Sequence, residues 1–213
     1  MKIELFEEVV HLLPLKAILL PSHKALLIAD LHFGKINHFR KSGIPVPARA
    51  NNKNTETLID LLNTIKPERT IFLGDLFHSH YNEEWDVVGQ VLKHFSLCRF
   101  ELVRGNHDIL SQRQYERHRI TVYEEKLALG KFVLTHQPLG NPPNGMYNLA
   151  GHLHPGVQMT GKGRQTITLP CFSFGKSQGI LPAFGSFTGL ARVLPRKEDR
   201  IFVVANNKVR QVN

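Results

Sequence analysis

Side chains that can bind metal ions recur at the ends of five apolar stretches of this 213-residue sequence. They are Asp30 and His32, Asp75, the pair Asn106 and His107, His136, and His152 with His154. Carboxylates, imidazoles and an amide oxygen, with no thiolate, suit manganese, iron(II), zinc or a mixture of them rather than a structural zinc site or an all-oxygen calcium site. The recurrence of one chemistry at five positions predicts a shared polar site.

The adjacent residues Asn106 and His107 are expected to have different roles. Successive side chains of an extended segment point to opposite sides, so the two are not expected to serve the same metal. An amide offers a metal only its carbonyl oxygen, whereas a protonated imidazole can stabilise or protonate a leaving oxygen. We therefore expect Asn106 to be a ligand and His107 the acid or transition-state stabiliser, with Asp108 accepting a hydrogen bond from the His107 ring.

With His107 set aside, seven candidate ligands remain, which is more than one tetrahedral ion can use. Two ions about 3.5 to 4 Å apart, bridged by one carboxylate, would use them all. Such a pair can activate a water and stabilise both the attacking and the leaving oxygen of an in-line displacement. The ligand set therefore predicts phosphoester hydrolysis.

The elements that must position these residues can be read from the same stretches. The apolar runs predict five strands, in KALLIAD, RTIFLGD, RFELVRGNHD, KFVLTH and MYNLAGH. Residues just past the carboxyl ends of neighbouring strands converge in one crevice of an α/β sheet, so the metal-binding side chains are expected to meet there. Two apolar stripes predict amphipathic helices: Leu58, Leu61, Leu62 and Ile65, and then Trp85, Val88, Leu92 and Phe95. The carboxyl-terminal third is rich in predicted strands, with TGKGR and ANNK as turns.

Composition is typical of a globular protein with 42% hydrophobic and 21% charged residues, and the length suits one domain over residues 1–213. The formal net charge of +9 favours a polyanionic partner such as nucleic acid or an acidic surface. Cys98 and Cys171 are too few and too far apart for a disulfide framework. Neither an export signal nor a membrane span is predicted, so we expect a cytoplasmic location with no membrane partner.

The blocks DLH (30–32), GD (74–75), GNHD (105–108), His136 and GHLH (151–154) resemble the signature of the calcineurin-like metallophosphoesterases, complete and in order. The flanking segments LLIADLHFGK, FRKSGIPVP, FLGDLFHS, VLTHQP, AGHLHP, LPCFSFG and LPAFGSFTG are similar to the bacterial ligase-associated endonucleases of the DNA damage response. That similarity extends over nearly the whole chain.

The resemblance implies an α/β fold, a four-layer αββα sandwich, and a role for each block. Asp30, His32 and His154 would bind one metal; Asn106, His136 and His152 would bind the other; and Asp75 would bridge the two. His107 would stand over the scissile phosphate, oriented by Asp108. The implied cofactors are two divalent ions, Mn²⁺ first, with Fe²⁺ and Zn²⁺ as alternatives. The implied partners are DNA and DNA repair proteins such as a ligase or a helicase.

The substrate is less constrained by the sequence. Basic residues near the motif blocks suit a nucleic-acid backbone, or else form an ordinary solvated face: Lys35, Arg40, Lys41, Arg49, Arg104, Arg113, Arg117 and Arg119. His78 is a candidate for supporting the site or contacting substrate, whereas the remaining histidines are expected to be surface or hydrogen-bonded residues: His11, His23, His38, His80, His94 and His118. Hydrolysis of DNA is the favoured activity; a small nucleotide or other phosphoester as substrate, and a non-catalytic scaffold, are the alternatives.

Overall fold

The strands of the protein form two β-sheets that pack face to face, and α-helices cover the outer face of the first sheet. This architecture is seen in a computed structural model, which describes residues 1–35, 49–78, 80–161, 163, 165–186 and 188–212, apart from the side chains of residues 49–52. The predicted α/β calcineurin-like sandwich is confirmed.

The first sheet contains seven strands in sequence order, β1 to β7. These are β1 (Lys2–Leu5), β2 (Glu8–Leu13), β3 (Ala17–Leu20), β4 (Ala25–Ile28), β5 (Arg69–Leu73), β6 (Arg99–Val103) and β7 (Ile120–Tyr123). The strands β1 to β4 pair antiparallel, whereas β4 to β7 pair parallel. Parallel neighbours need crossover connections, and each of these connections contains a helix.

The helices of the described residues are α1 (Arg49–Ile65), α2 (Glu83–His94) and α3 (Gln112–Arg117), with a short 3-10 turn over Pro21–His23. Both predicted apolar stripes are confirmed, because the α1 and α2 stripes lie in the core between the helices and the first sheet. The side chain of Asn82 caps α2 by accepting a hydrogen bond from the Glu84 amide at 3.0 Å.

The second sheet contains nine strands in the order β14-β11-β12-β13-β10-β9-β8, with β15 paired to β12 and β16 to β15. These are β8 (Lys126–Leu129), β9 (Phe132–Thr135), β10 (Tyr147–Ala150), β11 (Pro155–Thr160), β12 (Thr166–Phe174), β13 (Gln178–Ile180), β14 (Ala191–Arg192), β15 (Arg200–Ala205) and β16 (Lys208–Gln211). ANNK is confirmed as the β15–β16 turn, where Asn206 and Asn207 have φ of 50° and 54°, as a tight hairpin requires. TGKGR joins the antiparallel pair β11 and β12, although Lys162 and Arg164 lie outside the described residues.

The apolar run of β4 is buried on both faces. Leu27 belongs to the core between the two sheets, whereas Leu26 and Ile28 belong to the core beneath the helices. A strand buried on both faces has a continuous rather than an alternating apolar sequence. On the outer face of the second sheet, the described residues form a small cluster around Cys171, Ile201 and Val203 rather than a helical layer.

No helix among the described residues is long and apolar enough to span a membrane.

Candidate metal centre

The candidate ligands meet where the two sheets adjoin. The strands β4, β5 and β6 are parallel neighbours in the first sheet, and β9 and β10 are parallel neighbours in the second. The sheets are joined at the site by the backbone amide of His152, which donates to the Asp30 carboxylate at 2.9 Å. The predicted convergence of five strand ends is therefore found, with three ends from one sheet and two from the other.

Asp30, His32 and His154, here called the first donor set, lie close enough together to hold one ion, with ligand atoms all within 4.8 Å of one another. The Nε2 atoms of His32 and His154 are 3.3 Å apart, and His154 Nε2 lies 3.5 Å from Asp30 Oδ1. Ligand atoms that share one ion at bond lengths of about 2.1 Å lie about 3 Å apart, so these separations fit a metal site.

Asn106, His136 and His152, the second donor set, gather around the Nε2 atom of His136. Asn106 Oδ1 lies 2.9 Å from this nitrogen, and His152 Nδ1 lies 3.1 Å from it. Asp30 and Asp75 also approach His136, with ligand atoms of the three within 4.8 Å of one another. Two nitrogens and one amide oxygen at about 3 Å separation suit a divalent transition metal.

Asp75 lies between the two donor sets. Its Oδ2 is 3.6 Å from His32 Nε2 in the first set, and its Oδ1 is 3.5 Å from His136 Nε2 in the second. The carboxylate is buried, with 2% of the residue exposed, and Oδ1 also accepts a hydrogen bond from the His107 amide at 2.9 Å. One carboxylate that faces both sets with different oxygens has the arrangement expected of a bridging ligand.

The histidines of both sets are prepared to act as neutral ligands. The Nδ1 atom of His136 lies 3.0 Å from the Leu73 carbonyl oxygen, and that of His154 lies 3.2 Å from the Gly189 carbonyl oxygen. Because a carbonyl can only accept, these contacts place the proton on Nδ1 and leave the Nε2 lone pair facing the site. Burial, followed by the charge of Lys35, lowers the pKa of His32 far below its usual range, and burial, followed by His136, lowers the pKa of His152.

Five of the seven predicted ligands have left-handed backbone conformations, with φ between 45° and 67°. They are Asp30, His32, Asp75, His152 and His154. Residues with side chains adopt this region at a cost of about 1 to 3 kcal/mol each, and such residues concentrate at functional sites. The clustering at one locus marks the strand ends as a functional site independently of the ligand chemistry.

Two glycines of the motif blocks are required by close contacts. Gly74 has a φ of 76°, and a Cβ there would lie 2.2 Å from the His136 ring. A Cβ on Gly105 would lie 2.4 Å from both the amide nitrogen and Oδ1 of Asp75. Both contacts are far inside van der Waals distance, so the bare backbone allows the ligands to approach one another.

His107 lies at the edge of the site and is half-buried, as its predicted role in contacting substrate requires. The expected hydrogen bond from its ring to Asp108 is not found. Both oxygens of Asp108 instead accept backbone amides, from Phe77 at 3.1 Å and Gly105 at 2.8 Å. Burial raises the pKa of Asp108 to about 7. Because the carboxyl is turned inward, Asp108 shapes the GNHD loop rather than orienting the His107 ring.

His78 lies closer to the predicted ligands than its position in the sequence indicated. Its Nδ1 lies 3.0 Å from Nδ1 of His32, and its ring centroid lies 3.9 Å from that of His107. The only signal in the sequence was its position three residues after Asp75. His78 therefore connects a predicted ligand with the predicted acid.

Among the described residues, the other histidines have the surface or hydrogen-bonded environments expected of them, with His118 as the exception. His11 is partly exposed, His80 and His94 are exposed, and His23 lies 2.9 Å from the Glu8 carboxylate. His118 is instead buried against the Trp85 ring, and neither of its ring nitrogens has a hydrogen-bond partner among the described residues, so the prediction for His118 is wrong. His38 lies outside the described residues.

The predicted basic rim is only partly available to a ligand. Arg104 is tied to the Glu124 carboxylate at 2.9 Å and to the Asp108 carbonyl at 2.8 Å, and Arg117 lies 3.4 Å from Asp86. Arg113 and Arg119 are exposed. Burial lowers the pKa of Lys35, and the negative charges of Asp75 and Asp30 partly oppose this effect. Arg40, Lys41 and the side chain of Arg49 lie outside the described residues.

An α/β sandwich with aspartate and histidine side chains gathered at its strand ends defines a metallophosphoesterase, a hydrolase that acts on phosphoesters. The calcineurin-like phosphoesterase family matches residues 23–168, and the chain belongs to this family.

The crystal structure of Pseudomonas putida nuclease MPE is similar to this protein, with a TM-score of 0.80 and 29% sequence identity. The similarity covers 100% of this chain and 99% of that chain. The crystal structure of AQ665, a protein of unknown function from Aquifex aeolicus, is similar over 61% of this chain and 78% of that one, with 23% identity and a TM-score of 0.43. A search of curated proteins gives no match.

Proposed function

We propose that the protein is a dinuclear-metal phosphodiesterase that cleaves DNA and acts in DNA repair. The observation that carries this proposal is the position of Asp75, whose two oxygens face the first and the second donor set at 3.6 and 3.5 Å. When bound, two divalent ions would supply Lewis acidity and an activated water for in-line displacement at phosphorus.

The chain itself supplies the groups that handle substrate and protons. Hydrolysis breaks one P–O bond of the diester and adds the elements of water, so the leaving oxygen must gain a proton. His107, half-buried beside His32 and His78, would donate that proton or stabilise the charge on the leaving oxygen. Lys35, whose charge interacts with those of Asp30 and Asp75, would contact a non-bridging phosphate oxygen.

DNA is favoured as the substrate by two independent features. The formal net charge of +9 suits a polyanion, and a protein that is similar to this chain over its full length, Pseudomonas putida MPE, is a nuclease. Manganese as the native metal, and a ligase or a helicase as partner, belong to the same proposal and rest on the resemblance of the motif blocks and their flanking segments.

Hydrolysis should be compared across single-stranded DNA, double-stranded DNA, cyclic nucleotides, bis-p-nitrophenyl phosphate and p-nitrophenyl phosphate, with Mn²⁺ and with EDTA. We expect Mn²⁺-dependent cleavage of DNA and of the diester, and DNA binding that weakens steeply as salt rises. Turnover of the monoester alone would overturn the proposal in favour of a small phosphoester substrate. No hydrolysis by metal-loaded protein would favour a scaffold.

A further inference from the structure

Asn54 of α1 is a buried amide, 8% exposed, that joins two loops of the metal centre. Its Nδ2 donates to the Leu31 carbonyl at 3.4 Å, and its Oδ1 accepts from the amide of Ser186 at 3.1 Å and from the Ser186 hydroxyl at 2.9 Å. Asn54 lies four residues before Leu58, on the apolar stripe of the helix, where an amide would be costly without such partners.

The loop that Asn54 holds is connected directly to the first donor set. The Gly185 amide donates to the Asp30 carbonyl at 3.0 Å, and the Gly189 carbonyl lies 3.2 Å from His154 Nδ1. A Cβ on Gly185 would lie 2.7 Å from the Leu31 carbonyl oxygen, so the loop lies directly against the ligand loop. Asn54 therefore ties helix α1 to the segment that carries Asp30 and to the loop that contacts Asp30 and His154.

Asn148 of β10 is the corresponding buried amide on the side of the second donor set, and it is fully buried. Its Nδ2 donates to the Val133 carbonyl and to the Thr135 hydroxyl, both at 2.9 Å, and its Oδ1 accepts from the Leu139 amide at 2.9 Å. These contacts lie on both sides of His136 along the chain. The same strand, β10, leads to His152.

We propose that Asn54 and Asn148 are positioning residues, each of which holds one of the two donor sets: Asn54 the first and Asn148 the second. This inference rests on the dinuclear site of the proposed function. The hydrogen bonds described for both amides go to segments that carry ligands or contact them, so each amide acts on the metal centre through those segments. Groups behind metal ligands fix ligand orientation, and their loss costs 10- to 100-fold in metal affinity.

The test is titration of metal-free protein with Mn²⁺, in which calorimetry measures the affinity of each ion and metal analysis counts the bound ions. Wild type should bind two ions per chain. Asn54→Leu and Asn148→Leu, which keep the branched shape of the side chain without its polar atoms, should each weaken one ion at least tenfold and leave the other within twofold. Asn54→Asp, which keeps the acceptor for Ser186, should restore most of the lost affinity.

Ligand variants identify which ion is affected. In a His32→Ala background, which removes the first site, Asn54→Leu should have no further effect, whereas Asn148→Leu should weaken the remaining ion tenfold. The reverse is expected in His152→Ala. Glu101→Gln is the matched control, because Glu101 is buried and paired with Arg69 at 2.7 Å. It should lower the melting temperature without changing either Mn²⁺ constant.

Two results would overturn the inference: loss of both ions in parallel in either asparagine variant, or no change in either constant. Failure of the wild type to bind two ions would instead overturn the dinuclear site of the proposed function. Failure to cleave DNA while two ions are bound would overturn the substrate and leave the roles of Asn54 and Asn148 standing, since metal binding is measured without substrate.

Discussion

The Nδ1 atoms of His32 and His78 lie 3.0 Å apart, so one nitrogen must carry the shared proton and the other must accept it. His32 presents Nε2 to the first donor set, 3.3 Å from His154 Nε2. For that nitrogen to bind a metal, the proton of His32 must be on Nδ1 and His78 must be the acceptor. His78 then carries its own proton on Nε2, and its ring lies beside that of His107.

Replacing His78 should therefore affect both metal and catalysis. We expect His78→Ala to weaken Mn²⁺ binding about tenfold and to slow DNA hydrolysis, whereas His78→Asn, whose Oδ1 can accept the same proton, should keep more of the metal affinity. Mn²⁺ titration and initial rates measure the two effects. The exposed neighbour His80 provides the control, and an equal loss in His80→Ala would remove the special role of His78.

Asp75→Asn should lose activity and impair both metal sites. The change removes the negative charge that lies between two cations and leaves them less shielded from each other. Metal counting on purified protein measures the result, with circular dichroism to show that the fold is kept. If the variant held two ions as tightly as wild type, Asp75 could not be the bridging ligand.

His107→Asn and Asn106→Ala should separate catalysis from metal binding. The His107 variant should lose about 100- to 10,000-fold in rate while both ions stay bound, because it removes only a proton donor. The Asn106 variant should empty the second site, since Asn106 Oδ1 lies 2.9 Å from His136 Nε2. Rates and metal content are measured on the same preparations. Metal loss in the first variant with retention in the second would reverse the two roles.

Gly105→Ala should disturb the site although it removes no functional group. The new Cβ would lie 2.4 Å from Asp75 Oδ1, so the carboxylate or the backbone must move. Overpacking of this kind costs about 1 to 3 kcal/mol, and we expect weaker Mn²⁺ binding as well as a lower melting temperature. Gly140→Ala is the control, because nothing lies within 4 Å of a Cβ there. Unchanged Mn²⁺ binding in Gly105→Ala would contradict the prediction.

His118 should make stability fall in mild acid. Burial, followed by the charges of Arg117 and Lys93, lowers the pKa of His118 in the folded protein, whereas the unfolded value is about 6.5. As the pH falls below about 6.5, the unfolded chain takes up a proton that the folded chain resists. The free energy of unfolding therefore decreases until the pH reaches the folded pKa.

Denaturant unfolding at pH 5 to 8 measures this effect, and His118→Leu is the informative variant. Its free energy of unfolding should vary less with pH than that of wild type. The other buried histidines contribute equally to both proteins, so the difference between the curves isolates His118. Identical pH dependence in the two proteins would show that His118 does not cause the loss.

The sequence predicted the strands and the ligand cluster because both depend on local patterns. Each of the stretches that precede Asp30, Asp75 and His136 is apolar and ends at a polar side chain, and both features are visible in the sequence. The division of these strands between two sheets was not derivable from the stretches. It depends on pairings between distant strands, such as β12 with β15, which no local pattern encodes.

The contacts that support the ligands also could not be predicted from the sequence. Asp108 is adjacent to His107, yet its carboxyl turns inward because the Phe77 and Gly105 amides need acceptors in a buried loop. The contacts of His78 with His32 and of Asn54 with Ser186 join residues 46 and 132 positions apart. The sequence signals were weak: His78 lies three residues after Asp75, and Asn54 lies one helical turn before the apolar stripe of α1.

At the five predicted ligands with left-handed backbone, the need for low backbone strain conflicts with the need for a metal-binding side chain. Glycine adopts these angles freely but carries no ligand atom, whereas aspartate and histidine carry the ligand and accept the strain. Selection for thermal stability alone would thus favour glycine at His32 or His154 and would thereby remove ligands from the first donor set. At these residues, evolution toward heat resistance and evolution of the hydrolase proceed in opposite directions.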